Sequence, residues 1–247
     1  QIMDPPNPDL TSRRLRVRAD YLTPSVNQNA RYFVEGHYVT PDDAAAGNHH
    51  NNCSYREVTV STSTSNHAIT FIGSTQRQQP AIQAWQDVDP TVTLVDIPDG
   101  EDGLMILGYK VTQLTANLWE YEYALYNMDS TRCAQSFSVP LLGVVPSNIG
   151  FHDVEYHSTE VYDGTDWAAS NSSGAISWST DTFATNANAN AIRWGTTYNF
   201  RFTTTSPPVS ANVTIGLFTP GATNSLTVAA RSEEHTSELQ SHSDLVC

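Results

Sequence analysis

Phe151 to His157 (FHDVEYH) carries two acids and two histidines within seven residues. A period of two would place Phe151, Asp153, Glu155 and His157 on one face of a strand. Side chains at i and i+2 leave Cα atoms roughly 6.6–7 Å apart, close enough to converge on one cation. Asp153, Glu155 and His157 therefore form a partial metal site, completed from elsewhere, and carboxylate-dominated ligation favours Ca2+ over zinc. The plainer reading is a solvated strand edge. In the next segment, Tyr162 to Trp167 (YDGTDW), Trp167 could stack on a sugar ring while Asp163 and Asp166 accept its hydroxyls. Paired carboxylates also raise glycoside hydrolysis, which needs an acid and a base flanking one bond. Both acids sit in one short loop, and nothing else in the sequence singles out a cleft.

Other candidates are thinner. His49 and His50 lie near Asp42 and Asp43, an arrangement that suggests a metal, although adjacent loop histidines are more often solvated. Pro98 to Gly103 holds three acids and two glycines without the spacing of a calcium loop, and reads as a turn. Gly-x-Ser-x-Gly, a phosphate loop, His-Glu-x-x-His and Cys-x-x-Cys do not occur.

The elements around these residues read as short strands. Leu15, Val17, Ala19 and Tyr21 alternate with arginines, and Arg31–Thr40 follows as a second strand. Pro41–Asn48 reads as a helical turn closed by Gly47. Tyr55–Val60 and Ala68–Gly73 form a strand pair, and Pro80–Trp85 is ambiguous. Val92–Ile97 is a strand, and Leu104–Val111 begins as an apolar run suited to burial on both faces. Trp119, Tyr121, Tyr123 and Leu125 alternate with Glu120, Glu122 and Ala124, a one-sided strand, with Ser136–Leu142 expected to run antiparallel to it. Ala175–Ser179 is a strand. The Asn-Ala repeat from Asn186 to Ala191 is a loop. Tyr198, Phe200 and Phe202 point inward, and Val213, Ile215 and Leu217 form the last strand.

Composition narrows the class. The 247 residues carry a formal net charge of −14 and a single lysine, Lys110. That balance disfavours nucleic acid, whose phosphates demand clustered cations, and an electrostatic anchor to anionic lipid. No apolar run is long enough to span a membrane. Residues 231–247 (RSEEHTSELQSHSDLVC) resemble the translation of a sequencing-library adapter, and are set aside as a non-native tail. Residues 1–9 read as an extended linker or fragment edge, leaving 10–230 as one unit that could subdivide near 114–118. Two cysteines remain, Cys53 and Cys133, and an even pair in a Thr/Ser/Asn-rich chain suits an exported protein with one disulfide.

FHDVEYHS, YDGTDW, NANAIRWGTTYNFRF and PPVSANVTIGLFTPG, with RYFVEGHYVTPDDAAAGNHHNNCSYR and WEYEYALYN, resemble an uncharacterised family of secreted β-rich proteins from environmental bacteria. The likeness spans most of residues 10–225. It implies export and a β-rich fold, and names no catalytic residue. The expectation is thus an all-β, mostly antiparallel sandwich of two packed sheets, secreted or at the cell surface. Its expected role is a non-enzymatic structural or adhesive module. The alternative is a carbohydrate-binding module that uses Trp167 and nearby acids on a polysaccharide or surface partner. A glycoside hydrolase ranks below both.

Overall fold

The computed structural model describes residues 17–38, 41–62, 67–101, 103–141, 143–155, 161–172 and 174–233. It is an antiparallel β-sandwich with a third, smaller sheet added. The middle sheet has the order β5-β6-β7-β12-β9, built from Thr93–Pro98, Leu104–Thr115, Leu118–Asn127, Thr196–Thr204 and Ser147–His152. On its inner side lies a second sheet, β10-β11-β8-β13-β14, built from Ala168–Ser172, Ala175–Ser179, Ala134–Pro140, Pro208–Leu217 and Ser225–Glu233. The small sheet joins β1 (Tyr32–His37), β2 (Cys53–Val60), β3 (Ile69–Phe71) and β4 (Gln76–Arg77), with β2 central. Two short helices accompany it, α1 (Pro41–Ala45) and α2 (Gln83–Val88), so α2 settles the ambiguous stretch after Pro80.

Alternation explains the inner core. Tyr121, Tyr123 and Leu125 on β7, and Tyr198, Phe200 and Phe202 on β12, are each at most 1% exposed. They meet Phe137, Val139, Ile176, Trp178, Val213 and Ile215 of the second sheet. Tyr121 stacks on Phe202 with ring centroids 4.9 Å apart, and Phe137 on Phe200 at 4.7 Å, within the range where aromatic pairs add to simple burial. The phenols are satisfied: Tyr121 Oη donates to the Ser206 carbonyl at 3.0 Å and Tyr123 Oη to that of Arg231 at 2.5 Å.

The small sheet and α2 cover part of the opposite face. Ile106, Ala124, Tyr126 and Met128 of the middle sheet side pack there with Cys53 and Ile82, and Trp85 and Leu94 close the edge. Tyr126 Oη donates to Glu35 on β1 at 2.7 Å, which ties the layers together. The C-terminal half of β7 is therefore buried on both faces, and only its N-terminal half keeps the one-sided pattern.

Three strand expectations are corrected. The expected Leu15–Tyr21 strand begins outside the described residues; within them Val17 and Arg18 are in no strand and Ala19–Leu22 is a 3-10 turn. Arg18 pairs with Asp20 and Glu155 instead of lining a sheet. Ala134–Pro140 does not pair with β7. The chain crosses to the second sheet, where β8 lies between β11 and β13. Cys133, at φ 51, sits in that crossing. Val213–Leu217 is not the last strand, because β14 pairs with β13 from Gly216↔Ser225 to Pro208↔Glu233.

The disulfide is also absent. Cys53 and Cys133 are buried free thiols. Cys53 lies under the small sheet, whereas Cys133 packs with Ala189, Ala191 and Phe218 at the crossing. The two thiols belong to separate packed clusters, and no bond joins them. Burial pushes the Cys53 thiol up to about 12, with Glu35 and Asp129 adding to it. Residues 114–118 form the hairpin between β6 and β7, with Thr115 opposite Leu118.

Candidate functional site

Of the Asp153, Glu155 and His157 face, the described residues Asp153 and Glu155 lie beyond the end of β9 and share no strand face. β9 stays paired with β12 only as far as His152, opposite Asn199, and the chain then leaves the sheet. Without the strand, the alternation that would align these side chains is lost. Asp153 Oδ2 accepts a bond from Asn190 Nδ2 at 2.5 Å, and burial holds its carboxyl above the ordinary carboxylate value. Glu155 is exposed and pairs with Arg18. His157 lies outside the described residues. His49 and His50 also turn to acids: His49 Nδ1 is 2.6 Å from Asp129 Oδ2, and His50 Nε2 is 2.7 Å from Asp96 Oδ2. Among the described residues, no group of three or more His, Cys, Asp or Glu side chains could hold a metal ion.

Trp167 is not a sugar platform either. It is 3% exposed, stacks on Phe151 with centroids 5.8 Å apart, and donates from Nε1 to the Asn190 carbonyl at 2.5 Å. Asp163 and Asp166 remain exposed. Asp163 Oδ1 is engaged by its own turn, accepting from Thr165 N at 2.9 Å and Oγ1 at 2.6 Å, and these bonds lower its pKa. The unexpected residue is Asn190, read only as part of a loop repeat. It is fully buried, and besides Asp153 its amide donates to the Thr165 carbonyl at 2.9 Å. Its Oδ1 accepts from Tyr198 Oη at 2.5 Å. One side chain thus fixes the 163–167 loop, the end of β9 and the start of β12. Asn186 and Asn188 have the same sequence setting, but Asn186 is only half-buried and Asn188 is exposed. The apolar Ala189, Ala191 and Ile192 beside Asn190 are the one hint of burial.

The site the structure does present is on the outer face of the middle sheet. The small sheet covers only one end of that face. The uncovered end is an open groove of about 630 Å3, lined by Trp85, Glu122, Gly150, His152, Asn199 and Arg201 with backbone from neighbouring positions. Register explains how residues distant in sequence meet there. Gly108, Ala124, Asn199 and His152 form one row across four strands. Lys110, Glu122, Arg201 and Gly150 form the next.

Two glycines shape the groove. A Cβ on Gly108 would stand 3.1 Å from Trp85 Cε3, so the glycine lets the indole lie close against the sheet as one wall. A Cβ on Gly150 would stand 2.4 Å from Arg201 Nε, so the arginine stem lies across β9 at a position where only glycine fits it. His152 meets the edge of the Tyr21 ring with centroids 5.3 Å apart.

The floor is electrically balanced but not internally paired. Lys110 is occupied by Asp89, Nζ to Oδ2 at 2.6 Å, and the bonds from Lys110 and Thr91 lower the Asp89 carboxyl to about 2. Glu122 is half-buried. Burial, then the charge of Glu120, raises its pKa, and Lys110 and Arg201 only partly offset this. Among the described residues, the side chains of Glu122, Asn199 and Arg201 make no hydrogen bond or ion pair with protein. Their donors and acceptors face solvent in the groove and are free for a ligand. Sequence reading assigned Glu122 to a wet strand face and did not connect it with Arg201 or Trp85.

No protein-family model matches the chain, and no curated protein matches it.

Proposed function

We propose that this protein is a secreted or cell-surface, non-enzymatic β-sandwich module of adhesive type, which engages its partner through the groove over Glu122, Asn199 and Arg201. The observation that carries the reading is that this floor combines Glu122, Asn199 and Arg201, whose side chains make no hydrogen bond or ion pair among the described residues, beside an aromatic wall. Glu122 lies in register between Lys110 and Arg201 yet closes an ion pair with neither, whereas Lys110 is tied to Asp89. The acidic total, the single lysine and the Thr/Ser/Asn-rich turns support export. Retention of the full chain on bacterial cell-wall and extracellular-polymer preparations tests the reading. Retention that Arg201→Gln reduces about tenfold, the scale of one charge-assisted hydrogen bond, is the expected result. Absence of retention, or retention indifferent to Arg201→Gln, overturns it.

A further inference from the structure

We infer that the occupant of the groove is a neutral saccharide; this rests on the groove being the binding site proposed above. Three observations point to that chemistry. The first is charge. Glu122 and Arg201 are cross-strand neighbours whose formal charges cancel, and Lys110 is already matched by Asp89. A polyanion would have to bring its charge beside Glu122 and Glu120. A polycation would meet Arg201. Neither is complementary to a floor with no net charge.

The second observation is the kind of hydrogen-bonding group. Each sugar hydroxyl both donates and accepts. Glu122 offers only acceptors, Arg201 only donors, and Asn199 both. Neighbouring hydroxyls on a ring are the ligand groups that match such a mixed set at short spacing. The third is the wall. Trp85, held flat against the sheet by Gly108, adds an apolar surface beside the polar floor. A pyranose presents the same division, with polar hydroxyls at its edge and C–H groups on its face. An open groove of about 630 Å3 suits an extended chain of such rings entering from the side.

The test is a glycan array bearing neutral, acidic and amino sugars, probed with the full chain. Calorimetric titration with the best neutral glycan and with a zwitterionic dipeptide follows. Binding to neutral glycans is expected, weakened about tenfold or more by Arg201→Gln and by Glu122→Gln, each of which removes one charge-assisted bond. Trp85→Phe should keep part of the affinity and Trp85→Ala should lose it. Because Trp85 also packs on the core, the Arg201 and Glu122 variants, whose side chains make no hydrogen bond or ion pair among the described residues, decide the matter if Trp85→Ala fails to fold.

If the dipeptide or acidic sugars bind through Arg201 while neutral glycans do not, the groove is a binding site and the saccharide assignment is wrong. If no array ligand or dipeptide binds, and retention on cell-wall material does not depend on Arg201, the groove itself is not the site and both readings fail. If neutral glycans bind equally well to Arg201→Gln and Glu122→Gln, they bind elsewhere, and the inference is overturned.

Discussion

Along β7, Tyr121, Tyr123 and Leu125 face the second sheet, while Glu120 and Glu122 face outward, Glu122 into the groove. Along β12, Tyr198, Phe200 and Phe202 face inward, and Asn199 and Arg201 outward. The same strands, in one register, thus build two surfaces with opposite physical character. Inward side chains are dry, stacked and hydrogen-bonded at every phenol. Outward ones are half-solvated, unpaired and arranged around glycines that leave space. The inner face fixes the position of the outer one, because a slip of one residue in register would exchange the two sets. Burial is therefore concentrated on one side of these strand segments and open polar side chains on the other.

If that division holds, mutations on the two faces should differ in kind. The largest effect belongs to Phe200→Ala. Phe200 is 1% exposed and lies against Phe137, Trp178 and Trp167. Its loss should destabilise the fold by about 3–5 kcal/mol, from lost transfer energy and the cavity left behind. Urea unfolding followed by tryptophan fluorescence measures it. A cost under about 1 kcal/mol would mean that the inner core is far looser than its ring geometry indicates.

Asn190→Ala comes next. The substitution leaves the Thr165 carbonyl and Tyr198 Oη, grouped around a fully buried position, without their amide partner, and Asp153 loses a bond. A destabilisation of about 1–3 kcal/mol is expected. It should come with faster amide exchange in 163–167, since that loop is anchored through this residue. Uniform exchange changes across the sheet, without a local effect at the loop, would deny Asn190 its role as anchor.

Glu122→Gln separates the faces by sign. In the folded chain the Glu122 carboxyl titrates above its ordinary value of 4.5, because burial and Glu120 disfavour the charge. A group with a raised folded pKa contributes stability that is complete below about pH 4.5 and is lost as pH rises through the folded pKa. Wild type should thus lose stability over that rise, and the glutamine variant should lose less of it. The variant is expected to be equal to or more stable than wild type near neutral pH, even though it weakens ligand binding. If Glu122→Gln is less stable at every pH, Glu122 is structurally engaged, and the outer face is not a reserve of free polar groups.

How much of this was legible in the sequence follows from what each feature depends on. Period-two alternation is local, so the Tyr198–Phe202 face and the Ala175–Ser179 strand could be read directly. Pairing is not local. Nothing in Ala134–Pro140 says that it joins β11 and β13 instead of β7, because the crossing at Asn127–Cys133 is set by buried polar contacts such as Asn127 Nδ2 to the Ile192 carbonyl at 2.9 Å. β14 went unseen because the sequence was set aside from Arg231 onward, which cut the Leu226, Val228 and Ala230 alternation from its continuation. The acids and histidines of 151–157 drew attention by density, yet density does not show where a strand ends. The groove is assembled from α2, β7, β9 and β12, and its rows exist only once the register of three strand pairs is known. Trp167 and Trp85 could not be ranked by exposure from sequence, since each sits near acids and turns.

The smallest effect expected is that of a reductant. Cys53 belongs to the cluster under the covered end of the outer face, and Cys133 to the crossing between the middle and second sheets. A bond between them would cross-link the layers, and its reduction would be felt on both sides. As free buried thiols they instead act as small apolar groups, Cys53 with its thiol raised by burial and Cys133 likewise. A Cys247→Ser chain should therefore show the same melting midpoint with and without reductant. Both thiols should resist alkylation in the native state and react after unfolding. A mass lighter by the two hydrogens that a disulfide removes, with a midpoint that falls on reduction, would show the two sulfurs joined. It would then make the covered outer face and the inner sandwich one cross-linked unit instead of two separately packed clusters.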